Sequence, residues 1–442
     1  MRCSKGCTVA LISRISFLAA AAATLFACHN NTPSDASDAG PPDAASDAGA
    51  DGSTDADAGP PLPVRVGVND VSVLFPLPAS AADANALRLS TAGNGGPLFG
   101  QDDFDRISVF QAQEGPGSEP PFPYDTWRVV SARIDPCFPS LSFLESDPSM
   151  CRHQLRVVAQ PISPAEGPGF AGFEDAAIHL LYDLSESDFR TLATAWINLG
   201  GTEMRDGREA LGVSPRMTSE GLSGAYATGV RNLIVEYAGS ATLSQFTFVI
   251  GRFVSWDFGG FRVTPTGRVP VQIHGIPADV ALQTTTTDSA SDDPFDVSPS
   301  TAEADGLDAL SGAVEITDGP IGGTRFYLNA TEEELAAAAR LSFELDNPTS
   351  SFNPDTLDCS TCHLAGRARD RGIAHGLDVT GLPRYENARH NLEIELGSAV
   401  TDHVSQQRAF GYRGNEAMIN HRVVNESAAV ADSLEAMLDL SP

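Results

Sequence analysis

Thr126-Trp127-Arg128-Val129-Val130-Ser131-Ala132-Arg133-Ile134 is a short run rich in β-branched and aromatic residues, and it reads as a strand. Comparable alternating or apolar runs lie to either side, at Val66–Phe75, Gln154–Ala159, Ala177–Tyr182, Phe246–Ile250 and Phe258–Val263. Two stretches are helical in pattern instead. Ser185-Glu186-Ser187-Asp188 is a capping signal; Phe189, Leu192, Ala193, Trp196 and Ile197 then recur at helical spacing until Gly200-Gly201. Gly221 to Ala238 carries Leu222, Ala225, Val230, Leu233 and Ile234 and is closed by Gly239. Strands outnumber helices, which predicts a β-rich α+β domain over residues 65–283.

The chain has 442 residues, 28 basic and 58 acidic, for a formal charge of −30. At ~100–200 residues per domain the length predicts two or three domains. An apolar content of 42% excludes global disorder. The acidic balance argues against nucleic acid as a partner, because a phosphate backbone demands a basic surface. Lys5 is the single lysine, and the other 27 basic residues are arginines. Schiff-base chemistry and a P-loop with its usual lysine are therefore excluded. Residues 65–283 show no GxSxG, HExxH or strand–helix GxGxxG pattern, so they carry no independent enzyme signal.

The N-terminus reads as an export signal over residues 1–27. Arg2 and Lys5 form a positive region, and Ile15–Ala27 is an apolar stretch of signal length. Leu25-Phe26-Ala27-Cys28 resembles a bacterial lipoprotein box, in which cleavage would leave Cys28 as a lipidated first residue. The resemblance implies a membrane partner through Cys28 and a cell-envelope location, on the periplasmic face or at the outer membrane and cell surface. Residues 28–64 hold seven Asp and no Lys or Arg among Ala, Gly, Ser and Pro, the composition of a solvated, self-repelling tether. An EF-hand register beginning at Asp47 fails, since Gly49 and Ala58 occupy ligand positions. Residues 284–306 hold six acids and no base and read as a linker to a segment spanning 307–442.

Seven cysteines sort by context. Cys3 and Cys7 leave with the signal, and Cys28 would carry lipid. Cys137 and Cys151, with thirteen residues between them in an exported chain, are read as a disulfide. Cys359-Ser360-Thr361-Cys362-His363 has the spacing for covalent attachment of one c-type haem: two thiols add to the haem vinyl groups and the next imidazole becomes the proximal iron ligand. A thioredoxin-like pair would require a βαβ unit around Cys359, and zinc would require a second ligand pair; the sequence offers neither.

At this motif the chain resembles the cytochrome c family. Thr331-Glu332-Glu333-Glu334 caps a helix predicted to run through Leu345, a loop delivers the motif, and a final helix is predicted from Asn425 to Leu438. The resemblance implies that residues 307–442 are a small all-α haem domain. The expected architecture is then multidomain, the β-rich α+β domain followed by this all-α one. The resemblance also implies His363 as proximal ligand and puts Met418 where small cytochromes c carry the distal one. His375, His390, His403 and His421 are rivals, as is an open site. Arg367, Arg369 and Arg371 are candidates to pair with haem propionates.

The expected function is a lipid-anchored cytochrome that transfers electrons to an unidentified redox partner protein. Two alternatives remain at this point: a haem enzyme of peroxidase or oxidase type, and a surface binding lipoprotein with a sensory or accessory haem.

Overall fold

Residue alternation along a strand sends successive side chains to opposite faces, and here both faces are covered. The computed structural model describes residues 63–80, 82–111, 122–162, 172, 176–201, 205–206, 209–251, 255–273, 282–287, 297–299, 340–359, 362–363, 378–389 and 410–440. Its main strands are β1 (Ser72–Leu74), β2 (Trp127–Phe138), β3 (Arg152–Pro161), β4 (Ala176–Leu184), β5 (Leu243–Gly251), β6 (Ser255–Thr264), β7 (Gly267–Pro270), β8 (Leu282–Thr287) and β9 (Val297–Pro299). They form one nine-stranded sheet in the order β9-β8-β6-β5-β4-β3-β2-β1, with β7 added beside β6. Every pairing is antiparallel. Apart from Thr126, which closes a short 3-10 turn, each strand predicted from Trp127 onward lies within one of these elements, and the observed strands extend beyond the predicted runs.

One face of the sheet meets helices. Val129, Ile134, Leu155, Val157, Ile178, Leu180, Tyr182, Phe246 and Phe248 belong to a large buried cluster. Helices α2 (Glu186–Gly200) and α3 (Ala225–Tyr237) contribute Phe189, Leu192, Trp196, Val230 and Ile234 to the same cluster. The Ser185 hydroxyl caps α2 by accepting from the Asp188 N–H, as its sequence predicts. Trp196 Nε1 donates to the Asp70 carbonyl at 2.7 Å, which satisfies an otherwise costly buried donor.

The other face is more polar. Register pairs Ser131 with Val158, Val158 with His179, and His179 with Thr247, while Arg133 pairs with Arg156 and Arg156 with Leu181. This face is covered by the C-terminal segment, which comprises a ribbon, β10 (Phe410–Arg413) and β11 (Glu416–Ile419), and the 17-residue helix α4 (His421–Met437). Gln160 anchors the ribbon like a strand: its amide donates to the Tyr412 carbonyl at 2.8 Å and accepts from the Tyr412 N–H at 2.7 Å. Gly411 is required by this approach, because a Cβ there would stand 2.4 Å from Gln160 Oε1. Helix α4 sends Val423, Val424 and Ala428 to a cluster on this face and Val430, Ala431 and Leu434 to the larger one.

The expected small all-α domain is not what the C-terminal region forms. Its described residues comprise a β-ribbon and one long helix packed on the sheet. The reason is that the apolar stripe of α4 buries itself wherever apolar surface is offered, and here the sheet offers it. Contacts divide the chain into Met1–Asp57 and Ala58–Pro442, so the sheet and α4 fall in one unit. Thr284–Thr287 and Val297–Pro299, assigned to a linker by composition, are paired strands. Four consecutive β-branched threonines favour an extended strand despite the acids beyond them. Val68–Val71, read as strand, is a helical turn instead (α1), with the Asp70 carboxylate accepting from the Gly67 N–H at 2.7 Å. Among the described residues no helix is long and apolar enough to cross a membrane.

Candidate functional site

Cys359, Cys362 and His363 lie in helical turns, and the Cys362 N–H donates to the Asp358 carbonyl at 3.3 Å. Spacings of three and four residues on a helix put the three side chains on one face. Asp358 is fully buried, and its carboxylate accepts from Gln283 Nε2 at 2.6 Å, which ties the motif to strand β8. All three motif side chains line a cavity of about 230 Å³ between this helical segment, the polar sheet face and the start of α4. The His363 ring packs against Phe258, with centroids 5.2 Å apart.

Both thiols are free. Burial, reinforced by Asp358, pushes Cys359 far above its ordinary value. Burial also raises Cys362 to about 11, against the pull of Arg422. Both are protonated at neutral pH, unlike the low-pKa thiolates of redox dithiols.

The cavity's sheet side carries apolar Val158, Leu181, Val249 and Phe258, and among them His179. Burial is the chief reason His179 is depressed to about 3, with His363, Arg156 and Arg133 adding like charge; it is neutral at physiological pH. A charged wall stands alongside. Arg133 NH1 lies 2.6 Å from Glu426, Arg133 NH2 is 3.0 Å and Arg156 NH2 2.9 Å from Asp135, and Arg422 Nε is 2.6 Å from Glu426. Burial opposes charge on Glu426, yet Arg133, Arg422 and Arg156 hold its carboxyl well below the usual carboxylate range. On Arg156 burial wins over Asp135 and brings the guanidinium down to about 10. Three guanidiniums thus face two carboxylates. Arg133 Nε and Gln245 Oε1, both on cavity-lining residues, are buried without a hydrogen-bond partner among the described residues.

The remaining sequence candidates are dispersed. Met418 is buried on β11 opposite Gly411, on the other side of the ribbon from Phe410, and Phe410 rather than Met418 lines the cavity. His421 Nδ1 sits 3.4 Å from Asp346, away from the cavity lining. His375, His390, His403, Arg367, Arg369, Arg371 and Cys28 fall outside the described residues. Cys137 and Cys151 are disulfide-bonded, joining the end of β2 to the residue before β3. Sequence reasoning passed over His179 and the Arg133–Glu426 network. Their signal was present as an imidazole and two arginines at strand positions, but partners some 180 to 290 positions away are invisible in one dimension.

Among the described residues no group of three or more His, Cys, Asp or Glu side chains is arranged to hold a metal ion directly. Two free thiols and two imidazoles instead line one cavity. Comparison of the chain with protein-family models, with curated proteins and with solved structures returned no match.

Proposed function

We propose that the chain is an exported, lipid-anchored c-type cytochrome that carries one covalent haem on Cys359 and Cys362, with His363 as proximal ligand. The observation that carries this reading is that the CxxCH motif presents both free thiols and its imidazole on one helical face to a single cavity. Haem bound there supplies reversible one-electron chemistry at iron.

The residues present fit such a group. The thiols are not bonded to one another, Phe258, Val249 and Val158 supply apolar surface, and Gln245 has an unsatisfied polar atom beside them. Arg133, Arg156 and Arg422 offer guanidiniums to propionate carboxylates through charge-assisted hydrogen bonds. Gln283, through Asp358, orients the helical turn that carries the thiols. The sheet excludes water from one side of the cavity, and α4 does so from another. Export places the thiols where c-type attachment takes place, and lipid on Cys28 would hold the protein at a membrane near a redox partner protein. Nucleic acid is not among the partners proposed.

The test is expression of the full chain with the cytochrome c maturation proteins, followed by a pyridine haemochrome spectrum. One thioether-linked haem per chain is expected, lost when Cys359 and Cys362 are both replaced by Ser. A wild-type chain that matures without haem would sink the reading. In the same cells Cys28→Ala is expected to move the protein from the membrane fraction to the soluble one.

A further inference from the structure

We propose that His179, from the central strand β4, is the second axial ligand of the haem, so that the iron is held between the sheet and the CxxCH helix by two imidazoles. The inference rests on the haem reading above and deepens it by naming the ligand that decides what the iron can do.

The geometry is carried by strand register. On β4 the helix-facing positions are Ile178, Leu180 and Tyr182, and the opposite positions are Ala177, His179 and Leu181. His179 is flanked in register by Val158 and Thr247, and all three line the cavity that His363 also lines. Phe258, whose ring packs on His363, stands on β6 opposite Val249, and Val249 stands opposite Ala177, two residues before His179 on the same face. The two imidazoles therefore approach one space from the strand and from the helical turn.

An imidazole on an apolar sheet face is ordinarily a core histidine with its ring nitrogens satisfied. His179 does not fit that description, because among the described residues its ring makes no hydrogen bond and no ion pair. By contrast, His153 Nδ1 is 2.6 Å from the Pro136 carbonyl, and His421 has Nδ1 3.4 Å from Asp346, its Nε2 being buried without a partner among the described residues and away from the cavity lining. His179 and His363 are the two described histidines that line the cavity. Met418, the expected distal residue, lies on the far side of its ribbon.

Two nitrogens on iron would fill both axial positions. That arrangement suits electron transfer, whereas an open site would admit peroxide or a gas, and it lacks the thioether that raises the potential. It would also make the haem a cross-link between the sheet and the motif helix, so that attachment stabilises the folded chain.

The experiment uses the haem-loaded full chain. Wild type, His179→Ala, His179→Met, Met418→Ala and a variant with His375, His390 and His403 all changed to Asn are compared by pyridine haemochrome, electron paramagnetic resonance and near-infrared magnetic circular dichroism. Wild type is expected to be low-spin with the bis-imidazole charge-transfer band. His179→Ala is expected to become high-spin and to return to low-spin on addition of free imidazole. His179→Met, which keeps the side-chain volume should the alanine variant misfold, is expected to shift the band to the thioether position. Met418→Ala and the triple variant are expected to match wild type. Haem present with a thioether-ligated or five-coordinate wild type, or a low-spin bis-imidazole His179→Ala without added imidazole, would overturn the ligand and leave the haem reading intact. Absence of haem from wild type would overturn both.

Discussion

Glu426 shows how single residues set the cost of this site. Its carboxylate lies 2.6 Å from both Arg133 and Arg422 in a largely buried setting. Removing one partner of a buried ion pair leaves the others uncompensated, which costs about 3 kcal/mol or more. Glu426→Gln is therefore expected to lower the stability of the chain by that amount at neutral pH. The pH dependence follows from the same geometry. Because the folded carboxyl titrates below its ordinary value of 4.5, its contribution is complete above that value and decays as pH falls toward the folded one. Asp135, Arg156 and Cys362 are the other titratable groups around it. Urea midpoints taken from about pH 6 down to about pH 3 should fall more steeply for wild type than for Glu426→Gln; parallel curves would show that another carboxylate dominates. At this scale the sequence concealed what mattered most. In sequence Arg133 and Arg156 are unmarked strand residues, yet Arg133 is buried and Arg156 half-buried beside Glu426 of α4, because the sheet is covered on both faces.

Among elements, strands β2 and β3 are joined both by their ladder and by the Cys137–Cys151 bridge. Closing a loop of this length limits the unfolded chain by ~3 kcal/mol in the chain-entropy view. Changing both cysteines to Ser is expected to remove about that much, read as a lower urea midpoint, with reductant producing the same shift in wild type and none in the double variant. A wild type indifferent to reductant would mean that the strand pairing alone sets the local stability. Elements were the most legible scale. The α2 capping signal, the runs within β2 to β6 and the apolar stripe of α4 were all visible, because each is a local pattern satisfied by near neighbours. The misreadings have local causes as well. The acids after Thr287 obscured the β propensity of four threonines, and the Asp70–Gly67 contact turned part of a predicted strand into a helical turn.

For the whole molecule, the decisive fact is that α4 and the ribbon complete the core of the sheet. Arg389 donates to Asp432 and Glu435 of α4 and to the Val66 carbonyl, and Ser427 Oγ lies 2.6 Å from Ser72 Oγ of β1. Early and late parts of the chain thus share buried polar partners as well as apolar ones. Calorimetry of the protein without haem is expected to show one cooperative transition, with calorimetric and van't Hoff enthalpies in agreement. Two separable transitions would restore an autonomous C-terminal domain.

The sequence by itself determined the strands β2 to β6, the helices α2, α3 and α4, and the CxxCH motif, since each rests on spacing within a few residues. It could not determine what the apolar stripe of α4 packs against, because such a stripe specifies burial and names no partner. Nor could it place His179 opposite His363, 184 positions later in the chain. That meeting depends on strand register, which sends Val158, His179 and Thr247 to one face, and on the buried Gln283–Asp358 contact that holds the motif over it. Only long-range packing sets those two conditions, so only the tertiary structure decides which side chains share a cavity with His363.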